Sequence, residues 1–282
     1  MSKPSMKLKK KMKIPYCDKA FAWLTLAAML LFTGTAVGAE PDFDPEYPAW
    51  NQVLQQFATN GGFDYQALQK DPALLDDFLK SISALPENEY EKWNEVQKIA
   101  FWINAYNALA IKVVLDHYPP KRGLSWKAVA YPETSIQQIS NVWDRSLLKI
   151  FGEDYSLNRI EHGTLRKEFE EPRIHFALVC AARGCPELRS EAYVPARLDQ
   201  QLDDQARQFF ANPKKAKYDA GEDALYLSPI LRWFSEDFEA DGGPVVFAKK
   251  YLPSETVQQL SDNTKLKWLD YDWSLNEMEA RS

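Results

Sequence analysis

The chain has 282 residues, 45% of them hydrophobic and 26% charged, with 17 Pro, 11 Gly and three Cys; this excludes collagenous, coiled-coil and disordered classes and leaves one globular domain of ordinary size. A 13% share of Phe, Trp and Tyr supplies a sizeable core. The formal net charge is −6, and its meaning depends on the first segment of the chain.

In that segment Lys3, Lys7, Lys9, Lys10, Lys11, Lys13 and Lys19 precede an uncharged stretch from Ala20 to Phe32, the order of charged and apolar regions in an export signal. Val37-Gly38-Ala39 places small residues before Glu40, so cleavage is expected after Ala39, with residues 40–282 as a single globular domain, periplasmic or secreted. An uncleaved anchor is the alternative, because the stretch reaches about the 20 residues a span requires, although Thr33, Gly34 and Thr35 dilute its end. Removing the seven lysines and Asp18 leaves 27 basic and 39 acidic residues and a charge of −12. The basic run Lys214-Lys215-Ala216-Lys217 is too short to displace phosphate counterions, so nucleic-acid partners are set aside. No membrane partner is expected after cleavage. Two cysteines remain, too few for a disulfide framework.

Trp50, Val53, Leu54 and Phe57 follow helical spacing up to Asn60-Gly61-Gly62. Asp71-Pro72 reads as a cap and first-turn proline for a second helix carrying Leu74, Leu75, Phe78, Leu79 and Ile82, stopped at Pro86. From Glu91 to Tyr118 the apolar positions keep helical spacing for several turns until Pro119-Pro120, predicting a mostly buried helix. Ser135 to Leu148 reads as helical or turn-rich, Tyr155 to Leu157 as a short extended piece, and Asn158 to Phe169 as a helix. Arg173 to Val179 has the length, branching and aromatic content of a buried strand. Leu198 to Phe210 is helical, and Ala224 to Leu227 is a strand. Ile230 to Phe238, Val245 to Leu252 and Glu255 to Leu260 are helical, and Trp268 to Trp273 is extended. Helices outnumber strands without regular alternation, which predicts an α+β fold, mostly helical with a small central β-sheet.

Dinucleotide, P-loop, zinc-protease, serine-elbow and C-x-x-C signatures are absent. Asp237-Phe238-Glu239-Ala240-Asp241-Gly242 mimics a calcium loop, but its twelfth position is Ala248 where a bidentate Glu is required; it reads as a solvated acidic turn, and no metal is expected. The informative stretch runs from His175 through Cys180 to Cys185-Pro186. On a strand, Cys180 shares a face with Ile174, Phe176 and Leu178, while His175 points the other way. Arg183 and Arg189 flank Cys185, and Pro186 can open a helix whose N-terminus favours thiolate. In an oxidising compartment the two sulfurs can equally join as a structural bridge. Thiol catalysis, a bridge and redox exchange all stay open at this point.

A nucleophile needs a base. His162 precedes the connection into the cysteine segment, and Glu161 beside it can orient an imidazole as in triad-like sites; alternatively Asn158 and Glu161 form a capping box. His117 reads as a helix C-terminal residue meeting the dipole. Asn104 and Asn107 interrupt an apolar helix and either brace a loop or face a cavity.

Phe101-Trp102-Ile103-Asn104-Ala105-Tyr106-Asn107-Ala108-Leu109, Ile160-Glu161-His162-Gly163, His175 to Cys180, Cys185-Pro186 and Tyr271-Asp272-Trp273-Ser274-Leu275-Asn276 together resemble the family called domain of unknown function 547, over roughly residues 90 to 276. The resemblance implies a domain assignment and carries no catalytic residue with it. By analogy alone, the cluster of Glu161, His162, His175 and the cysteines is what a papain-like or transglutaminase-like thiol enzyme needs.

The expected function is therefore a Cys–His hydrolase or acyltransferase acting on an amide or thioester of a small molecule or peptide, without a cofactor. Cys180 is preferred over Cys185 as nucleophile for its rigid position, His162 is the base and Glu161 the orienter, and His175 is a further catalytic candidate. Asn104, Asn107, Arg166 and Arg183 are candidate substrate contacts. The rival readings are a non-catalytic binding protein with a Cys180–Cys185 disulfide, and a thiol–disulfide exchanger.

Overall fold

A computed structural model describes residues 43–59, 62–122 and 126–278; the export segment expected over residues 1–39 lies outside the described residues. The first half is helical: α1 (Pro48–Phe57), the two-residue strands β1 (Ala58–Thr59) and β2 (Gly62–Phe63), α2 (Tyr65–Lys70), α3 (Ala73–Ala84), α4 (Glu87–Tyr90) and α5 (Glu95–Leu115). Asn94 opens α5 with a reciprocal capping box, its side chain accepting from Gln97 N while the Gln97 side chain accepts from Asn94 N. From Ile99 to Ile111 every residue of α5 is buried, and each fully buried large apolar side chain contributes about 1.5–3 kcal/mol. By length and composition α5 is the one helix among the described residues apolar enough to cross a membrane, yet it is buried within the fold. Its end falls before Pro119 as the spacing predicts, and His117 Nδ1 donates to Val113 O at 2.8 Å.

Trp50 of α1 stacks on Phe78 of α3 at 5.5 Å, so the first three long helices share one apolar cluster. Asp71 is not the cap of α3. Pro72 takes that place, and the Asp71 N–H instead closes α2 by donating to Leu68 O.

After α6 (Lys127–Ala130), β3 (Leu148–Ile150) and β4 (Glu153–Tyr155) form an antiparallel hairpin. Phe151 and Gly152 at its tip both have positive φ, the geometry of a two-residue primed turn. A wide π-helical segment, Arg159–Leu165, runs into α7 (Arg166–Glu168). Later come α8 (Leu198–Ala211), β5 (Ala216–Asp219), β6 (Ala224–Leu227), α9 (Ile230–Trp233), a 3-10 segment Ser235–Asp241, α10 (Pro244–Tyr251), α11 (Ser254–Gln259) and β7 (Lys265–Trp268). β6 pairs antiparallel with β5 and parallel with β7. The fold is α+β and mostly helical, its strands fall in small sheets of two or three, and the centre is occupied by α5. A second apolar cluster gathers Phe176, Phe209, Phe210, Phe238 and Phe247.

Residues 173–179 do not form the expected strand. Pro172–Phe176 is a 3-10 helix, started by Pro172 and by the Glu171 carboxylate accepting from Arg173 N. Val179 N donates to the Asn107 side chain rather than to a neighbouring strand. A buried apolar run reads alike as strand or as tight helix, and here side chains, not a ladder, satisfy the backbone. Nor does Pro186 open a helix: residues 185–194 are irregular.

The tail after β7 lies along the cysteine loop. Gly184 N donates to Asp272 O, Arg183 N to Ser274 O, and Asn276 N to Ala181 O, while Phe63 N donates to Asn276 O.

Candidate functional site

The π-helical turn, the 3-10 segment with the loop after it, the tail, α9 with the residue after it, Tyr106 of α5 and Trp143 before β3 meet around a hollow of about 220 Å³. Its walls are aromatic, with Trp143, Trp233, Phe234, Tyr271 and Trp273, and its polar groups include Glu161, His162 and His175. Cys180 and Cys185 complete it. The structure thus brings together all five residues singled out for chemistry, His175 included. The strand-based expectation that His175 faces away from the sulfurs fails because a 3-10 helix does not alternate sides.

The buried His175 ring stacks on Phe234 at 4.1 Å. Its Nε2 donates to Asp237 Oδ2 at 2.6 Å, and Arg166 holds the same carboxylate in a fork, Nε to Oδ2 at 2.6 Å and Nη2 to Oδ1 at 2.8 Å. Burial opposes ionisation of Asp237, but hydrogen bonds from His175 and Arg166 outweigh it and hold the carboxylate well below its ordinary range. Burial lowers the pKa of His175 despite its carboxylate partner, so the imidazole is neutral, protonated on Nε2, and carries its lone pair on Nδ1. Asp237 is therefore no solvated turn residue.

Arg166 also donates from Nη1 to His162 Nδ1 at 2.8 Å. A guanidinium only donates, so His162 accepts at Nδ1 and, when neutral, carries its proton on Nε2. Burial and then Arg166 lower its pKa. His162 is thereby held as a donor, the reverse of the base expected of it.

Glu161 does not orient His162. The capping box does not form either, since Asn158 makes no cap bond and donates to Asp144 at 2.7 Å. Glu161 instead has the Tyr106 hydroxyl of α5 as a polar neighbour. Burial raises the Glu161 pKa to about 7, against the opposing pull of Tyr106 and Arg166. Tyr106 itself stays protonated well beyond its usual range, through burial and the neighbouring Glu161.

Cys180 and Cys185 form a disulfide with Cα atoms 6.1 Å apart. Cys180 is partly exposed and Cys185 is buried. Ala181, between them, has φ 59°. Lys215, buried, donates to the carbonyls of Arg183 and Cys185 and so pins the loop; burial lowers its pKa to about 8. Gly184 is required by its neighbour: a Cβ there would stand 2.8 Å from three atoms of the Tyr271 ring.

The proposed substrate contacts divide. Asn107 is spent on the backbone, Nδ2 donating to Ala177 O and Oδ1 accepting from Val179 N. Asn104 likewise donates to Tyr193 O and accepts from Tyr193 N and Trp50 Nε1. Both asparagines brace the segments they touch rather than facing the hollow. Arg166 stands behind the hollow's histidines. Arg183 donates to Glu277 O and lines a second hollow, which shares Cys185, Pro186 and Tyr271 with the first but not its histidines.

Tyr106, Tyr271 and Asp237 are the site residues that sequence reasoning missed. The first two sit inside motifs already singled out; Asp237 lies 62 residues from His175 and 71 from Arg166, with no local signal. Among the described residues no group of three or more His, Cys, Asp or Glu side chains is arranged to hold a metal ion. No curated protein and no solved structure matches the chain, so the papain- or transglutaminase-like comparison stays an analogy. Residues 90–210 match the family described as Protein of unknown function, DUF547.

Proposed function

We propose, from the premise that the chain belongs to the DUF547 family through residues 90–210, that the aromatic hollow is the working site of an exported thiol enzyme. It acts by hydrolysis or acyl transfer on an amide or thioester of a small molecule or peptide once the Cys180–Cys185 bridge is reduced. The observation that carries this reading is the sharing of one hollow by Cys180 and the His175 imidazole that Asp237 orients.

In the reduced state the Cys180 thiol gives its proton to His175 Nδ1, and the sulfur adds to the substrate carbonyl. Asp237 fixes the tautomer that leaves Nδ1 as acceptor and stabilises the imidazolium. His162, with its proton on Nε2, supplies a donor to the developing oxyanion. His175 returns its proton to the leaving group, and water or an acceptor amine attacks the thioester on Cys180. The base and orienter are thus His175 and Asp237, in place of His162 and Glu161. The lysine-rich start of the chain followed by an apolar stretch supports export to the periplasm or beyond.

The bridge itself favours a second reading, in which the oxidised protein binds a small molecule or peptide side chain among the aromatic rings without chemistry. Turnover of p-nitrophenyl acetate separates the two. The enzyme reading expects turnover that requires reductant and is lost in Cys180→Ala and His175→Ala. Turnover indifferent to reductant and to Cys180→Ala, or none at all, overturns it and leaves the binding reading.

A further inference from the structure

The two sulfurs of the bridge share the Tyr271 hydroxyl but differ in their other contacts and in exposure. Cys185 Sγ accepts the Cys180 N–H at 3.1 Å and the Tyr271 O–H at 3.1 Å. Cys180 Sγ has only the longer arm of that hydroxyl, at 3.3 Å, and is the partly exposed member of the pair. Neither sulfur of a disulfide carries a proton, so the hydroxyl is the donor to both. Burial and the nearby carboxyls of Glu161 and Asp272 keep Tyr271 protonated, and the missing side chain at Gly184 lets its ring lie against the loop.

We propose that the bridge opens in one direction: a thiolate attacks Cys180, and Cys185 leaves as a thiolate received by the Cys180 N–H and the Tyr271 O–H. The incoming sulfur forms a mixed disulfide with Cys180 as the Cys180–Cys185 bond breaks. With a dithiol reductant, its second thiolate then attacks its own bridged sulfur, releasing Cys180. The dithiol loses two electrons and becomes a disulfide, and both cysteines end reduced, taking up protons as their thiolates require. Hydrogen bonds that stabilise a leaving thiolate lower its basicity and speed its departure. Tyr271 touches the reacting sulfurs and is a catalytic residue of this opening. The inference rests on the proposed function in making Cys180 the sulfur that serves the hollow, and it assigns that site a redox control.

Oxidised protein is exposed to glutathione, quenched with N-ethylmaleimide and mapped by peptide mass spectrometry. Glutathione on Cys180 with maleimide on Cys185 is expected. Glutathione on Cys185, an even split, or no opening under conditions that reduce a model peptide disulfide overturns the proposal. Tyr271→Phe, which removes only the hydroxyl, is expected to slow opening by about three- to tenfold. In the Cys180→Ser background, Tyr271→Phe is further expected to raise the Cys185 thiolate pKa read at 240 nm. An unchanged rate together with an unchanged thiolate titration removes Tyr271 from the step. The ester assay on fully reduced protein is separate: no turnover, where the mapping has put glutathione on Cys180, sinks the enzyme reading alone, whereas turnover, where the mapping has put it on Cys185, sinks the opening order alone.

Discussion

Glu161→Gln is expected to stabilise this protein in mild alkali and to leave its stability unchanged in acid. The carboxyl is raised from 4.5 to about 7 by burial, so the folded state holds it neutral where the unfolded chain ionises it. Between those values the folded state binds more protons, and stability falls as pH rises. Forcing the buried group to ionise costs about 3 kcal/mol on that interval; because Glu161 keeps some contact with water, about 2 kcal/mol is the working figure. Glutamine keeps an oxygen for the Tyr106 hydroxyl and has no charge to bury. Urea unfolding followed by tryptophan fluorescence at pH 4.5 and pH 8 measures the gap between wild type and variant. It is expected near zero at the first pH and about 2 kcal/mol in favour of the variant at the second. A gap that does not change with pH, or a variant less stable at pH 8, refutes the account of Glu161 as a neutral acid buried against α5.

Asp237→Asn breaks the fork from Arg166 and the bond from His175, and urea titration at pH 7 is expected to show a loss of about 2 kcal/mol. Because the folded pKa of Asp237 is depressed, that advantage is present above the ordinary carboxylate range and shrinks as pH falls below about 4, so the two stability curves converge in acid. Asn107→Ala leaves Ala177 O and Val179 N without their partners and is expected to lower the unfolding midpoint by the equivalent of about 2–4 kcal/mol. Gly184→Ala drives a methyl into the Tyr271 ring; a thermal melt is expected to register about 1–3 kcal/mol of destabilisation, and near-ultraviolet circular dichroism a changed tyrosine environment.

Most of the fold was legible where helical spacing runs long between clear stops. The buried helix between Asn94 and Pro119 is such a case: apolar positions recur over several turns and two prolines end them. Residues 173–179 were not legible, because a buried 3-10 turn and a buried strand place the same apolar side chains in a short run. What decides between them is Asn107, contributed by a helix about 70 residues earlier. The site was legible in its membership and not in its pairing. His162, His175, Glu161 and the cysteines stand in motifs that draw attention, but which imidazole is a base depends on Arg166 and Asp237. Their meeting across 71 residues leaves no local trace. The π-helical turn hides the role of Glu161 in the same way, since Asn158 and Glu161 have the spacing of a cap and neither makes one.

The tail that crosses the cysteine loop also orders events in time. Tyr65 O–H reaches Asn276 Oδ1 at 2.7 Å across 211 residues, and contacts so far apart in sequence close late in folding. Cys180 and Cys185, five residues apart, can meet while the tail is still unattached. Sulfur pairing thus closes only a short loop and needs no tail, whereas the phenol that distinguishes one sulfur from the other is in place only when the tail is docked. A chain clipped before position 271 would keep its crosslink and lose the asymmetry that governs it.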